Sequence, residues 1–272
     1  MLGSLNRRHK NASTINRGEK MKPVLFEFSF IKIYGYGLMI AVGIIAALLL
    51  LSYRSKKKNY NEENIWDMAI IAIIFGIVGG KVMYIITDIK YILQDPSILK
   101  NVGNGFVIYG AVLGGVLAIY FYSRKKGWDA LSTFDLVVPS LPLAQGFGRI
   151  GCFLAGCCYG SATSLPIGVV FKNSPFAPSN VHIHPTQIYS SIFDFILAIF
   201  LLWYAGRERK NGRIFSLYLI IYSIGRFLIE FLRDDPRGSV FMFSTSQFIS
   251  LFVLLIGVLL FNVQKIKEAL RK

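Results

Sequence analysis

Gly148-Arg149-Ile150-Gly151-Cys152-Phe153-Leu154-Ala155-Gly156-Cys157-Cys158-Tyr159-Gly160 places an arginine near the end of an apolar segment that begins around Leu131. A guanidinium stays protonated there, and a charge at the centre of a membrane helix costs roughly 2.5–3.5 kcal/mol on insertion scales. It needs an anionic partner, water or an anionic substrate. Gly148 and Gly151 remove side-chain bulk beside it, so a ligand or a neighbouring helix can approach the backbone. The stretch reads as a site built into a membrane helix.

The rest of the chain agrees with that setting. Of its 272 residues, 54% are hydrophobic and 17% charged, whereas a soluble domain carries about 25% charged residues. The apolar residues gather into runs long enough to cross a bilayer as helices. Candidate spans are Tyr34–Leu51, Ile65–Ile86, Phe106–Tyr122, Leu131–Ala155, Thr186–Ala205, Ile214–Leu232 and Gln247–Val263. The expected fold is an all-α integral membrane protein with about seven transmembrane helices.

Lysine and arginine orient these spans. Four basic residues fall at 54–58, three at 124–126, four at 207–213 and four from Lys265 onward. The alternate loops hold Lys90 and Lys100, then Lys172, then Arg233 and Arg237. The positive-inside rule therefore predicts an outside amino terminus and a cytoplasmic carboxyl terminus. Most of the net charge of +15 is this loop bias, which faces anionic lipid headgroups; it does not mark nucleic-acid binding. Residues 1–33 carry seven basic residues and read as a polar tail, without the apolar core of a signal peptide. Met21 is the expected start, or residues 1–20 a disordered tail. Residues 34–264 form the expected membrane domain, 157–184 a small external head over the site, and 265–272 a basic cytoplasmic tail.

Three cations lie within spans: Lys81, Arg149 and Arg226. Each is about six residues from the predicted outer end of its helix, a depth of roughly 9 Å at 1.5 Å per residue. Tyr222, Arg226, Glu230 and Arg233 recur at helical spacing and share one face. Polar faces in membrane helices point into the bundle or a wet cavity. Asp194 and Asp135 are further carboxylates within spans, Tyr36 and Tyr109 sit at outer ends, and His184-Pro185-Thr186-Gln187 leads into the fifth span.

Structural alternatives stand beside these readings. Arg226 and Glu230 can be an internal salt bridge, Lys81 can snorkel to the interface, and the tyrosines can be belt residues. His184 can be a loop or capping residue. Gly76, Gly79, Gly80, Gly110, Gly114 and Gly115 are most simply helix-packing positions. The three cysteines, all within 152–158, read as small packing residues. They imply no disulfide framework, and no metal site is expected, because no histidine or carboxylate falls at ligand spacing nearby. No nucleotide loop, zinc motif or nucleophile elbow appears, and no cofactor is expected.

Taken together, the residues resemble the prolipoprotein diacylglyceryl transferase family over about Ile33 to Val263. Five separated blocks occur in the family's order: Tyr36-Gly37-Leu38-Met39; Gly79-Gly80-Lys81-Val82-Met83-Tyr84; Gly148-Arg149-Ile150-Gly151 with Phe153, Gly156 and Gly160; His184-Pro185-Thr186-Gln187-Ile188-Tyr189; and Tyr222, Arg226, Phe227, Glu230, Phe231 and Arg233. The resemblance implies a multi-pass enzyme of the bacterial cytoplasmic (inner) membrane, its site opening toward the outer leaflet. It implies transfer of the diacylglyceryl group from phosphatidylglycerol to the lipobox cysteine of a prolipoprotein signal peptide, with release of glycerol phosphate.

On that resemblance Arg149 and Arg226 bind phosphate and stabilise the leaving group, and Glu230 orients Arg226. Tyr36 and Tyr222 hydrogen-bond headgroup oxygens. Lys81, Gly148, Gly151, Cys152, Gly160, His184, Gln187 and Arg233 complete the expected substrate site. The sequence also departs from the family pattern. Lys81 stands for arginine, Tyr109 for the histidine of the third span, Cys152 for asparagine and Cys157 for a carboxylate, and Ser190 follows Tyr189 where glutamate is common. A tyrosine is a weak general base near neutral pH. A homologue that binds anionic lipid or signal peptide without the transfer is one alternative. An anion transporter is another, disfavoured because no internal repeat is present and the cations lie off-centre.

Overall fold

The apolar runs fold as helices because their backbone groups find every partner within the segment. A computed structural model describes residues 24–28, 31–95, 105–172, 174–207, 209–236 and 238–269. The helices are α1 Gly35–Lys57, α2 Glu62–Thr87, α3 Ile89–Gln94, α4 Ile108–Lys125, α5 Ala130–Val137, α6 Ser140–Ala155, α7 Thr186–Ala205, α8 Arg213–Glu230 and α9 Thr245–Ala269. Three short antiparallel pairs accompany them: β1 Val24–Phe28 with β2 Ile31–Tyr34, β3 Val169–Val170 with β4 His182–Ile183, and β5 Ser239–Val240 with β6 Phe243–Ser244.

Four helices are long and apolar enough to cross a membrane: Gly35–Lys57, Glu62–Thr87, Thr186–Ala205 and Thr245–Asn262. Of the others, α6 has only 16 residues, and α8 carries Arg213, Arg226 and Glu230. Large apolar side chains such as Ile74, Phe121, Ile196, Ile199 and Leu255 are more than half exposed on the helix surfaces. A soluble protein rarely tolerates so much contiguous apolar surface. The molecule is a multi-pass membrane protein.

Two elements differ from the sequence expectation. The fourth span, Leu131–Ala155, is interrupted at Val138-Pro139, giving α5 and α6. Pro139 has no N–H for the carbonyl of Asp135, four residues earlier. Arg54 of α1 supplies the missing donors: Nη2 bonds the Asp135 carbonyl at 3.2 Å, and Nη1 bonds that of Leu136. The Asp135 carboxylate in turn accepts from the backbone of Gly212 at 2.6 Å and Phe215 at 2.7 Å, capping the start of α8. Asp135 is thus a joint between helices rather than a site residue. The second difference is in the tail: residues 24–28 and 31–34 pair as antiparallel strands, Val24 opposite Tyr34 and Phe28 opposite Ile31. The expectations for Met21 and residues 1–20 lie outside the described residues.

The helices pack as α2 with α4, α1 with α6, α6 with α7, and α8 with both α7 and α9. Glycines set the α2–α4 contact. A Cβ on Gly79 would stand 2.4 Å from the Gly110 carbonyl oxygen, and one on Gly110 would stand 2.2 Å from that of Gly79. The two backbones therefore touch, as small-residue interfaces in membranes allow. Residues between α6 and α7 form a small head with its own core of Phe171, Ala177 and Ile183, packed on Phe153, Tyr159 and Val169.

Candidate active site

Arg149 projects from α6, nearly two turns before the helix end at Ala155. Against it lies Tyr222 of α8, with Cys152, Cys158 and Asp194 of α7 within electrostatic reach. Tyr222 stacks on Tyr218, centroids 5.4 Å apart, and the Tyr218 hydroxyl donates to Gln145 at 3.3 Å. Tyr36, at the start of α1, also lies within reach of Arg149 and the three cysteines. Gly151 lets it in: a Cβ there would sit 3.2 Å from the Tyr36 carbonyl oxygen. Gly148 has a different surrounding, because a Cβ there would meet nothing within 4 Å. Packing does not require that glycine.

One turn apart on α8, Arg226 and Glu230 form an ion pair of 2.5 Å. Arg226 also donates to the Ser246 hydroxyl at 2.8 Å, and Tyr109 of α4 donates to the same oxygen at 3.3 Å. Ser246 joins α4, α8 and α9 at one point, and the sequence reading had passed over it. The signal was present in Ser244-Thr245-Ser246-Gln247. Ser244 and Gln247 form a reciprocal capping box, each side chain accepting from the other's backbone N–H at 3.1 Å. That cap fixes the first turn of α9, where Ser246 sits.

Arg233, just past α8, grips Asp235 with two hydrogen bonds of 2.9 and 2.8 Å and lies 3.8 Å from Glu230. Burial works against its charge, but the hydrogen bonds to Asp235 and the negative charge around it raise its pKa further above the usual arginine value. Glu230 thus stands between two guanidiniums, and its side chain is almost fully buried.

Backbone pairing ties the blocks together. Gly160 donates to the His184 carbonyl at 3.0 Å, and Ser161 donates to that of Leu232 at 2.9 Å. A Cβ on Gly160 would be 2.7 Å from both carbonyl oxygens, so only glycine fits there. The His184 ring shares a 3.2 Å hydrogen bond with the Tyr189 hydroxyl. Gln187, fully buried, donates to the Cys157 carbonyl at 2.7 Å, and Thr186 donates to that of Cys158 at 2.8 Å. Lys81 donates to the Gly105 carbonyl at 3.0 Å, which ties that cation to the α2–α4 pair.

The sequence that carries these blocks matches a known family. The family model described as prolipoprotein diacylglyceryl transferase matches residues 23–263. The chain belongs to this family. A phosphatidylglycerol–prolipoprotein diacylglyceryl transferase of Clostridium tetani is 66% identical over 91% of this chain and 100% of its own length. A second of that name from Clostridium perfringens is 55% identical over 91% of this chain and 97% of its own length. One from Clostridioides difficile is 36% identical over 79% of this chain and 84% of its own. Arg149 and the Arg226–Glu230–Arg233 array both lie within the residues that the family model matches.

Proposed function

We propose that this chain transfers the diacylglyceryl group of phosphatidylglycerol to the lipobox cysteine thiol of a prolipoprotein, forming a thioether and releasing glycerol phosphate. The carrying observation is the placement of Arg149 and Arg226 around Tyr222, within the residues that the family model matches. A phosphodiester is recognised by guanidinium forks, which also neutralise charge as the leaving oxygen takes the bonding pair. Arg149 and Arg226 hold the phosphate in this reading. Glu230 and Ser246 fix the Arg226 plane, leaving part of its fork for the lipid. Tyr36 and Tyr222 hydrogen-bond headgroup oxygens, and the open space beside Gly148 admits the glycerol backbone. Arg233, Gly160, His184 and Gln187 shape the loop over the site, and Tyr109 braces Ser246.

The same reading places the molecule in the bacterial cytoplasmic membrane with seven crossings. They are α1, α2, α4, α5 with α6, α7, α8 and α9, with the amino terminus outside and the carboxyl terminus inside. Residues 34–264 are then the membrane domain, 157–184 the external head, and the site opens to the outer leaflet, where signal-peptide cysteines emerge. Expression in a bacterium depleted of its own diacylglyceryl transferase tests the reading. Restored diacylglyceryl modification of lipoproteins supports it; unmodified prolipoprotein accumulating beside well-inserted protein contradicts it.

A further inference from the structure

Three cysteines stand where the family pattern has other residues or none of note, and the fold gathers their sulfurs. The Sγ atoms of Cys152, Cys157 and Cys158 all lie within 4.8 Å of one another. The helix end achieves this. Gly156 turns the chain at φ +70°, Cys157 N–H returns to the Cys152 carbonyl at 3.2 Å, and Cys158 adopts φ +61°, a conformation that costs a non-glycine residue energy. Buried Thr186 and Gln187 clamp the loop through the carbonyls of Cys158 and Cys157. Gln187 Oε1 is left buried without a hydrogen-bond partner among the described residues. The sequence expectation of no metal site rested on the lack of a nearby histidine or carboxylate, whereas the three thiols are themselves ligand atoms.

We propose that Cys152, Cys157 and Cys158 form a three-thiolate zinc site whose open fourth position takes the acceptor cysteine of the prolipoprotein. The proposal rests on the transferase reading above. Zinc binds sulfur at about 2.3 Å, so tetrahedral ligands sit about 3.8 Å apart, and the cluster needs only a small contraction. All three cysteines are partly exposed, which leaves one side of the cluster accessible. Three thiolates on Zn²⁺ carry one net negative charge. Arg149, within reach of Cys152 and Cys158, and Arg233, within reach of Cys158, balance it.

The site answers the question that Tyr109 leaves. A thiol that coordinates zinc is deprotonated outright, so no side-chain base is required. The acceptor S–H gives its proton to water on coordination. Its sulfur then attacks the glycerol carbon of the lipid; the C–S bond forms as the C–O bond to the phosphate breaks. The bonding pair leaves on the phosphate oxygen of glycerol phosphate, beside Arg149. The neutral thioether is a poorer ligand and departs from the metal.

Full-length protein in detergent, titrated with Co²⁺, tests this. The expected result is one Co²⁺ per chain with the thiolate charge-transfer and intense visible bands of a tetrahedral sulfur site, displaced by Zn²⁺. These bands should shift on adding a lipobox-cysteine peptide and not its serine analogue. Cys152→Ser, Cys157→Ser and Cys158→Ser should each weaken binding by at least tenfold, and Cys158→His should restore part of it. A wild-type protein that shows no thiolate–cobalt bands, or bands blind to the peptide thiol, overturns the proposal. So does undiminished acylation by chelated, metal-free protein, which leaves the transferase reading intact. A peptide-sensitive metal site in protein that never consumes phosphatidylglycerol supports the site and overturns the transferase reading instead.

Discussion

Arg226 Nη2 and Ser246 Oγ are 2.8 Å apart, across the contact between α8 and α9. A hydrogen bond to a charged group is worth about 1.5–3 kcal/mol, and here it fixes the plane of a guanidinium whose other face pairs with Glu230. Ser246→Ala is expected to lower kcat roughly 10- to 100-fold and to lower Tm by a few degrees, while Tyr109→Phe, which removes only the brace on Ser246, has the smaller effect on both. Acylation kinetics on both variants check the order; equal activity in Ser246→Ala and wild type contradicts it.

Glu230 carries the two guanidiniums that flank it. Glu230→Gln keeps the shape and removes the charge, leaving Arg226 without its anion while Arg233 keeps Asp235, and breaking such a buried pair costs about 3–5 kcal/mol. Thermal unfolding in detergent should show a clear fall in Tm. Asp235→Asn should fall much less, because the Asp235 side chain is 14% exposed where that of Glu230 is 1%.

Arg54 and Pro139 are coupled through one carbonyl. Arg54→Met leaves the Asp135 and Leu136 carbonyls without their donor and should destabilise by about 1–3 kcal/mol. Pro139→Ala restores an N–H at the position that the Asp135 carbonyl lacks. The double variant should therefore be more stable than the sum of the two single changes implies, a coupling read from a double-mutant cycle of Tm or denaturant midpoints.

Gly79 and Gly115 give a matched contrast on the α2–α4 pair. Gly79→Ala drives a Cβ to 2.4 Å from backbone and should cost about 1–3 kcal/mol. Gly115→Ala meets its nearest atom at 3.7 Å, an ordinary contact, and should be neutral or stabilising by up to about 1 kcal/mol. Thermal unfolding of the two variants side by side reads this difference directly.

The helices and the site were legible to different degrees. Apolar runs revealed α1, α2, α7 and α9, because length and hydropathy decide membrane crossing. The recurrence of Tyr222, Arg226, Glu230 and Arg233 revealed a polar face before any partner was known. The break at Pro139 escaped because apolar patterning continues across it, and because its compensation comes from Arg54 on another helix. The strand pair β1–β2 was grouped with the basic tail, since its strands are short and β2 carries Lys32. Ser246 was missed although its capping box was readable, because its bond to Arg226 depends on how α8 meets α9. The thiol cluster depends on turns at Gly156 and Cys158 that composition does not announce.

The most direct measurement follows peptide mass and glycerol phosphate together in purified protein given phosphatidylglycerol and a lipobox-cysteine peptide, with Arg149→Ala alongside. The account predicts a diacylglyceryl mass gain matched one for one by glycerol phosphate, requiring the peptide cysteine and reduced at least 100-fold in Arg149→Ala, the order expected for losing a transition-state charge contact of about 3 kcal/mol. Equal product from Arg149→Ala and wild type, or lipid binding with no mass gain, would contradict it.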